Sequence, residues 1–125
     1  MLLDTHALLW FLDNDARLPP ATIERIEDAD TLLVSIASLW EIAIKVNIGK
    51  LTLFIPFETI ETNLINLDIK ILSIDFEDVL TYLSLPLHHR EPFDRILVAQ
   101  AMNHSLIFIS QDTQLDAYSI QRLWL

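Results

Sequence analysis

Asp4, Glu41, Asp94 and Asp112 stand far apart in the chain, yet each falls close to where a strand ends or a helix begins. Side chains delivered from such junctions of a parallel sheet meet at one edge. Four carboxylates without a cysteine or an evident histidine pair form a hard oxygen donor set. They repel one another unless a cation sits among them, and Mg²⁺ or Mn²⁺ suits such a set, which makes phosphate-ester hydrolysis the expected chemistry. Lys45 lies four residues after Glu41, and Arg90 and Arg95 bracket Asp94. These three cations are the candidate contacts to phosphate oxygens, with pairing to nearby acids as the plainer role.

The elements that must position the acids read as strands alternating with helices. Met1 to Asp4 is a short buried strand running into a helix from Thr5 to Leu12. Asn14, Asp15 and Pro19-Pro20 mark a loop, and a helix from Pro20 to Asp28 leads to an interior strand at Thr31 to Ser35. From Ile36 to about Ile48 the residues Leu39, Ile42, Ala43 and Val46 recur at helical spacing, and Gly49 stands where a left-handed C-terminal cap is wanted. A helix is expected from Pro56 to Asn66 with Ile60, Leu64 and Leu67 on one side, then a strand at Ile69 to Ile74. Asp75 caps a helix to about Leu83. Pro86 to Glu91 is a polar loop, and Pro92 opens a helix whose buried face is Phe93, Ile96, Leu97 and Ala101. Leu106 to Ser110 is a further strand, Asp112 starts a helical turn, and a last strand is expected at Ile120 to Leu123.

Strand-helix-strand units with short connections give a mostly parallel sheet covered by helices on both faces, because each crossover is right-handed and buries an apolar stripe. Asp4, Glu41 and Asp112 then follow strand ends. Asp94 joins from the other direction, at the start of a helix that runs back toward the next strand. The 125 residues match one domain, 1–125, able to bury roughly two thirds of its unfolded surface. The composition is 52% apolar with one glycine, which excludes a disordered or low-complexity chain. No apolar run approaches the ~18 residues of a membrane span, and no export signal is evident. The absence of cysteine excludes disulfides and thiolate chemistry and fits a cytoplasmic location. A net charge of -10 opposes binding of a polyanion, so nucleic acid would have to meet local cations, a bound metal ion or a partner chain.

Each acid also has a plain reading. Asp4 and Asp112 suit N-caps, and Asp94 suits a helix first turn, where the dipole favours an acid by ~0.3–1 kcal/mol. Glu41 can pair with Ser38 in a capping-box-like contact or with Lys45 in an exposed ion pair contributing ~0.3–0.5 kcal/mol. Glu41 discriminates between the readings. It lies too deep in its helix to cap it well and points away from the Leu39, Ile42, Ala43, Val46 face.

The segments Leu3-Asp4-Thr5-His6-Ala7-Leu8-Leu9-Trp10, Ser38-Leu39-Trp40-Glu41-Ile42, His89-Arg90-Glu91-Pro92-Phe93-Asp94-Arg95 and Ser110-Gln111-Asp112, in that order, resemble the PIN-domain ribonucleases, in particular the VapC-type toxins of bacterial toxin-antitoxin pairs. The resemblance runs from Leu2 to about Tyr118. It implies an α/β/α sandwich on a central, mostly parallel sheet of four to five strands, and Mg²⁺- or Mn²⁺-dependent endonuclease activity on RNA. The family's acids fall on Asp4, Glu41, Asp94 and Asp112, and supporting hydroxyls fall on Thr5, Ser38 and Ser110. Where that family often has aspartate before the proline, this chain has Glu91. Asp116, one helical turn past Asp112, is a second candidate for the fourth acid. The resemblance further implies a cognate antitoxin and a homodimer, and Ile23, Ile26, Leu53 to Phe57 and Ile60 form the candidate partner patch, with core burial as the alternative.

His88 and His89 invite a general-acid role, but adjacent histidines in a loop point in different directions and are usually solvated, which is the expectation here. Trp10, Trp40 and Trp124 are candidates for base stacking, though aromatics in apolar patterns more often serve core or interface. Two rivals remain. A receiver-type signalling domain also gathers acids and Mg²⁺ at a parallel sheet's edge, but it wants paired acids after the first strand and a lysine after the last. A PIN-fold binding module without activity would be expected to lack some of the acids.

Overall fold

The computed structural model describes residues 1–125. Strands β1 (Leu2–Leu3), β2 (Leu32–Ser35), β3 (Ile69–Leu72), β4 (Ile107–Ile109) and β5 (Gln121–Leu123) form one sheet in the order β3-β2-β1-β4-β5, and every pairing is parallel. Between them run α1 (Thr5–Leu12), α2 (Pro20–Glu27), α3 (Ile36–Asn47), α4 (Ile60–Asn66), α5 (Phe76–Ser84) and α6 (Pro92–Asn103). The chain steps outward from β1 through β2 to β3, then returns to the other side of β1 with β4. The direction of winding therefore switches between β1 and β4, and a crevice opens outside the carboxyl ends of strands at such a point. This order differs from the 2-1-3-4-5 order of the receiver class, which removes that rival on topology.

Alternation along the strands divides the core in two. Leu3 registers with Val34 and Ile109, and all three pack in a cluster with Ala7, Leu8, Ile26, Ile42 and Leu64. Leu2 registers with Phe108, and both pack on the other face with Leu97, Val98, Ala101 and Leu115. Leu2, Leu3 and Phe108 are fully buried, which is why these strands carry unbroken apolar runs.

The turns follow local chemistry. Gly49 has φ +76°, and the bonds Gly49 N–H to Val46 O and Lys50 N–H to Lys45 O close α3 with the expected left-handed cap. The expected helix from Pro56 is shorter: a 3₁₀ turn at Phe57–Thr59 precedes α4, and Leu67 is exposed because it lies past the last helical turn. On α6, Leu97 and Ala101 are buried as expected. Phe93 and Ile96 are only half-buried, and Arg95 is buried instead.

Helix α5 is inverted. Its one buried residue is Asp78, held by Asn103 Nδ2 at 2.8 Å and by the Asp75 N–H at 2.8 Å, while Thr81 Oγ1 donates to Asn103 Oδ1 at 2.8 Å. Its apolar side chains at i, i+3, i+4 and i+7 face outward: Phe76, Val79, Leu80 and Leu83 are 75%, 48%, 51% and 81% exposed. The partner patch expected around Ile23 to Ile60 is mostly core. Ile26 and Ile60 are buried, Ile23, Leu53 and Ile55 pack against the core, and only Phe54, Pro56 and Phe57 are exposed. No helix is long and apolar enough to cross a membrane.

Candidate active site

The largest cleft, ≈ 640 Å³, opens at the carboxyl edge and is lined by Asp4, Thr5, His6, Trp10, Glu41, Lys45, Glu91, Asp94, Gln111, Asp112, Thr113 and Gln114. All four acids singled out from the sequence line it.

Asp4 ends β1 at the switch point. Its Oδ1 accepts the Ala7 N–H at 2.7 Å as the N-cap of α1, and the nearby Ser110 side chain favours its charged form. Capping and cleft lining are thus one geometry, since an N-cap at a strand end faces the crevice. Burial is the main force raising its pKa above 3.8, and the Glu41 charge adds to it. Glu41 is fixed from two sides: Thr5 Oγ1 donates to Oε1 at 2.7 Å, and Lys45 Nζ reaches Oε2 at 2.9 Å. The expected pairing of Glu41 with Ser38 is absent. Ser38 is fully buried and its Oγ has no partner.

Glu91 caps α6 by accepting the Asp94 N–H at 2.7 Å, so Glu91 in place of aspartate keeps the capping function. Burial raises the pKa of Asp94 above 3.8, with the charges of Glu91 and Glu41 adding to it and the His89 hydrogen bond opposing. Asp112 caps the 3₁₀ turn Thr113–Ala117 by accepting from Gln114 N–H at 3.0 Å, and its own N–H donates to Ser110 Oγ at 3.1 Å. Asp116 does not reach the cleft. Its carboxylate is held by Arg122 through contacts of 2.7 and 3.1 Å at the surface.

The three cations separate. Lys45 lines the cleft. Arg90 is exposed and is not among the lining residues. Arg95, expected at phosphate, is corrected by its surroundings: it is 5% exposed and donates to the carbonyls of Pro86, His89, Tyr82 and Leu85 and to Tyr118 Oη, with its guanidinium 4.8 Å from the Tyr82 ring centroid. Both terminal nitrogens are committed to groups inside the protein, and the side chain is buried away from a ligand.

His89 is the residue that sequence reasoning missed. His88 does turn elsewhere, its ring edge-on to Tyr118, but His89 is half-buried and its Nε2 lies 2.7 Å from Asp94 Oδ2 and 3.8 Å from Asp112 Oδ2. Burial alone would lower its pKa. The Asp94 bond and the nearby Asp112 charge outweigh that and raise it above 6.5. The only signal was its position five residues before Asp94, close enough for the loop to fold back over the helix start.

The fold and cleft together define a class: a parallel α/β protein with an acidic, oxygen-rich site at its topological switch point, whose donor set could hold a divalent metal ion. Residues 1–121 match the PIN domain family, and the chain belongs to that family. It is 28% identical over 119 residues to ribonuclease VapC22 of Mycobacterium tuberculosis, covering 94% of this chain and 91% of that one. Among solved structures, the fold is similar to VapBC2 from Rickettsia felis bound to a DNA fragment from their promoter, with a TM-score of 0.71 at 12% identity over 99% of this chain and 98% of that one. It is also similar to a toxin-antitoxin complex from Klebsiella pneumoniae, with a TM-score of 0.67 at 16% identity over 98% and 94%.

Proposed function

We propose that the chain is a Mg²⁺- or Mn²⁺-dependent endoribonuclease, the toxin of a toxin-antitoxin pair, acting as one PIN domain over residues 1–125 in the cytoplasm. The observation that carries this reading is the meeting of Asp4, Glu41, Asp94 and Asp112 in one cleft of a PIN-family chain. Raised pKa values at Asp4 and Asp94 support it, because burial first and the neighbouring carboxylates second disfavour the bare anions, and a bound cation offsets both. Asp4, Glu41, Asp94 and Asp112 are the residues that would hold the ion; when bound, it supplies Lewis acidity toward a phosphate oxygen and lowers the pKa of a water.

The protein's own part is placement. The Ala7 amide holds Asp4, Thr5 and Lys45 hold Glu41, and Glu91 sets the helix start that carries Asp94. Lys45 is the one lysine or arginine lining the cleft and serves as a phosphate contact, with Arg90 available from the exposed loop. A chain of net charge -10 suits a basic antitoxin partner better than unaided RNA binding. The exposed stripe of α5 supports a homodimer, since apolar side chains at i, i+3, i+4 and i+7 are the pattern that packs helix on helix.

Incubation of the purified chain with end-labelled RNA and Mn²⁺ or Mg²⁺ tests the reading. Cleavage that EDTA stops, and that Asp4→Asn and Asp94→Asn both lose, supports it. Full cleavage by both variants at saturating metal overturns it, and mapping RNA ends after expression in cells would identify the substrate.

A further inference from the structure

The cleft holds a nitrogen donor among its oxygens. His89 Nε2, Asp94 Oδ2 and Asp112 Oδ2 are close, at 2.7 Å and 3.8 Å from the nitrogen, and one ligand atom from each of the three residues lies within 4.8 Å of the other two. In an octahedron with bonds of ~2.1 Å, neighbouring ligands stand ~3 Å apart and opposite ones ~4.2 Å apart. The trio therefore has the spread of ligands around one ion. Asp4 and Glu41 lie outside this tight group but line the same cleft, with Glu41 held by Thr5 Oγ1.

The placement of His89 is built into the fold. Its backbone N–H donates to Tyr118 Oη at 2.9 Å, and its carbonyl accepts from Arg95 Nη1 at 3.2 Å. Arg95 and Tyr118 are themselves buried, so loop 86–91 is pinned by a cation that the chemistry does not use.

We infer that His89 Nε2 is a ligand of the divalent ion together with Asp94 and Asp112, and that it makes the site favour Mn²⁺ over Mg²⁺. Mg²⁺ prefers an all-oxygen shell, whereas Mn²⁺ accepts imidazole nitrogen with little loss. The inference rests on the reading of the cleft as a metal site, and the test separates the two.

Mn²⁺ binding to the purified chain is measured by electron paramagnetic resonance, Mg²⁺ binding by competition against it, and nitrogen ligation by electron spin echo modulation from ¹⁴N. The wild-type chain should show ¹⁴N modulation. His89→Gln should lose it, weaken Mn²⁺ about tenfold or more, and change Mg²⁺ affinity by less than about twofold. His89→Ala, with its circular dichroism compared to wild type, repeats the measurement in case the first variant folds poorly. Bound Mn²⁺ without ¹⁴N modulation in the wild type, or ¹⁴N modulation that persists in His89→Gln, overturns the ligand role; equal loss of both metals overturns the Mn²⁺ preference; each leaves the metal site standing. No binding of either metal overturns the metal site and the ligand role together.

Discussion

The Arg95 guanidinium donates to the carbonyl of His89 at 3.2 Å, linking a fully enclosed cation to a loop whose side chain enters the cleft. Arg95 sits one residue past Asp94 and so shares its helix, but it points inward to the chain's own carbonyls while Asp94 points into the cleft. One turn of α6 thereby fixes both an acid and the loop that covers it.

Arg95→Met should therefore cost about 3–5 kcal/mol, since it removes the guanidinium's bonds to four carbonyls and to Tyr118 Oη and leaves the Pro86 and Leu85 carbonyls without another donor. Thermal unfolding should drop by more than about 10 °C. Arg90→Ala, on the exposed stretch of the same loop, should stay within about 0.5 kcal/mol of wild type. Equal stability of the two variants would remove the anchoring role.

Asp4 serves as a cap and as a candidate ligand, and two substitutions separate these roles. Asparagine caps as well as aspartate and removes a charge that burial disfavours, so Asp4→Asn should melt at or above the wild-type temperature without metal. Asp4→Ala loses the cap and should cost about 1 kcal/mol. Both should lower RNA cleavage at least about 100-fold, the scale found when one charge-stabilising group is removed from an active site. Calorimetry and cleavage assays on the same preparations check the pair.

The pH dependence of the metal-free chain follows from the same carboxylates. Asp4 and Asp94 have folded pKa values above 3.8, so over that window the native state binds more protons than the unfolded one. Their contribution to stability is present below pH 3.8 and is lost as pH rises through the raised values. Added Mn²⁺ should restore stability at neutral pH by binding only the folded site. Denaturant titrations at several pH values, with EDTA or Mn²⁺, measure both effects. A metal-free stability contribution from these groups that grew with pH would contradict the assigned directions.

The outward stripe of α5 predicts self-association. Leu83 is 81% exposed, so Leu83→Glu should leave the protomer's melting temperature within about 0.5 kcal/mol equivalent once dissociation is accounted for, while shifting sedimentation from dimer to monomer. A wild-type chain that sediments as a monomer at high concentration would end the homodimer reading.

The amino-acid sequence by itself determined the local features. The helical and strand periods, the glycine cap at Gly49 and the four acids at strand-edge junctions were legible because each depends on residues near one another in the chain, and the parallel sheet followed from the alternation of strands and helices. It also carried the family, through short ordered motifs around those acids. Only the tertiary structure decided which charged side chains share the cleft. Arg95 and Asp94 are sequence neighbours on different helix faces, His89 is turned inward by Tyr118 from 29 residues away, and Asp116 is withdrawn by Arg122. The inverted α5 was equally hidden, since periodicity marks an apolar stripe without saying whether core or solvent faces it. Local sequence sets conformation, but the destination of a side chain depends on contacts made by chain segments far away in sequence.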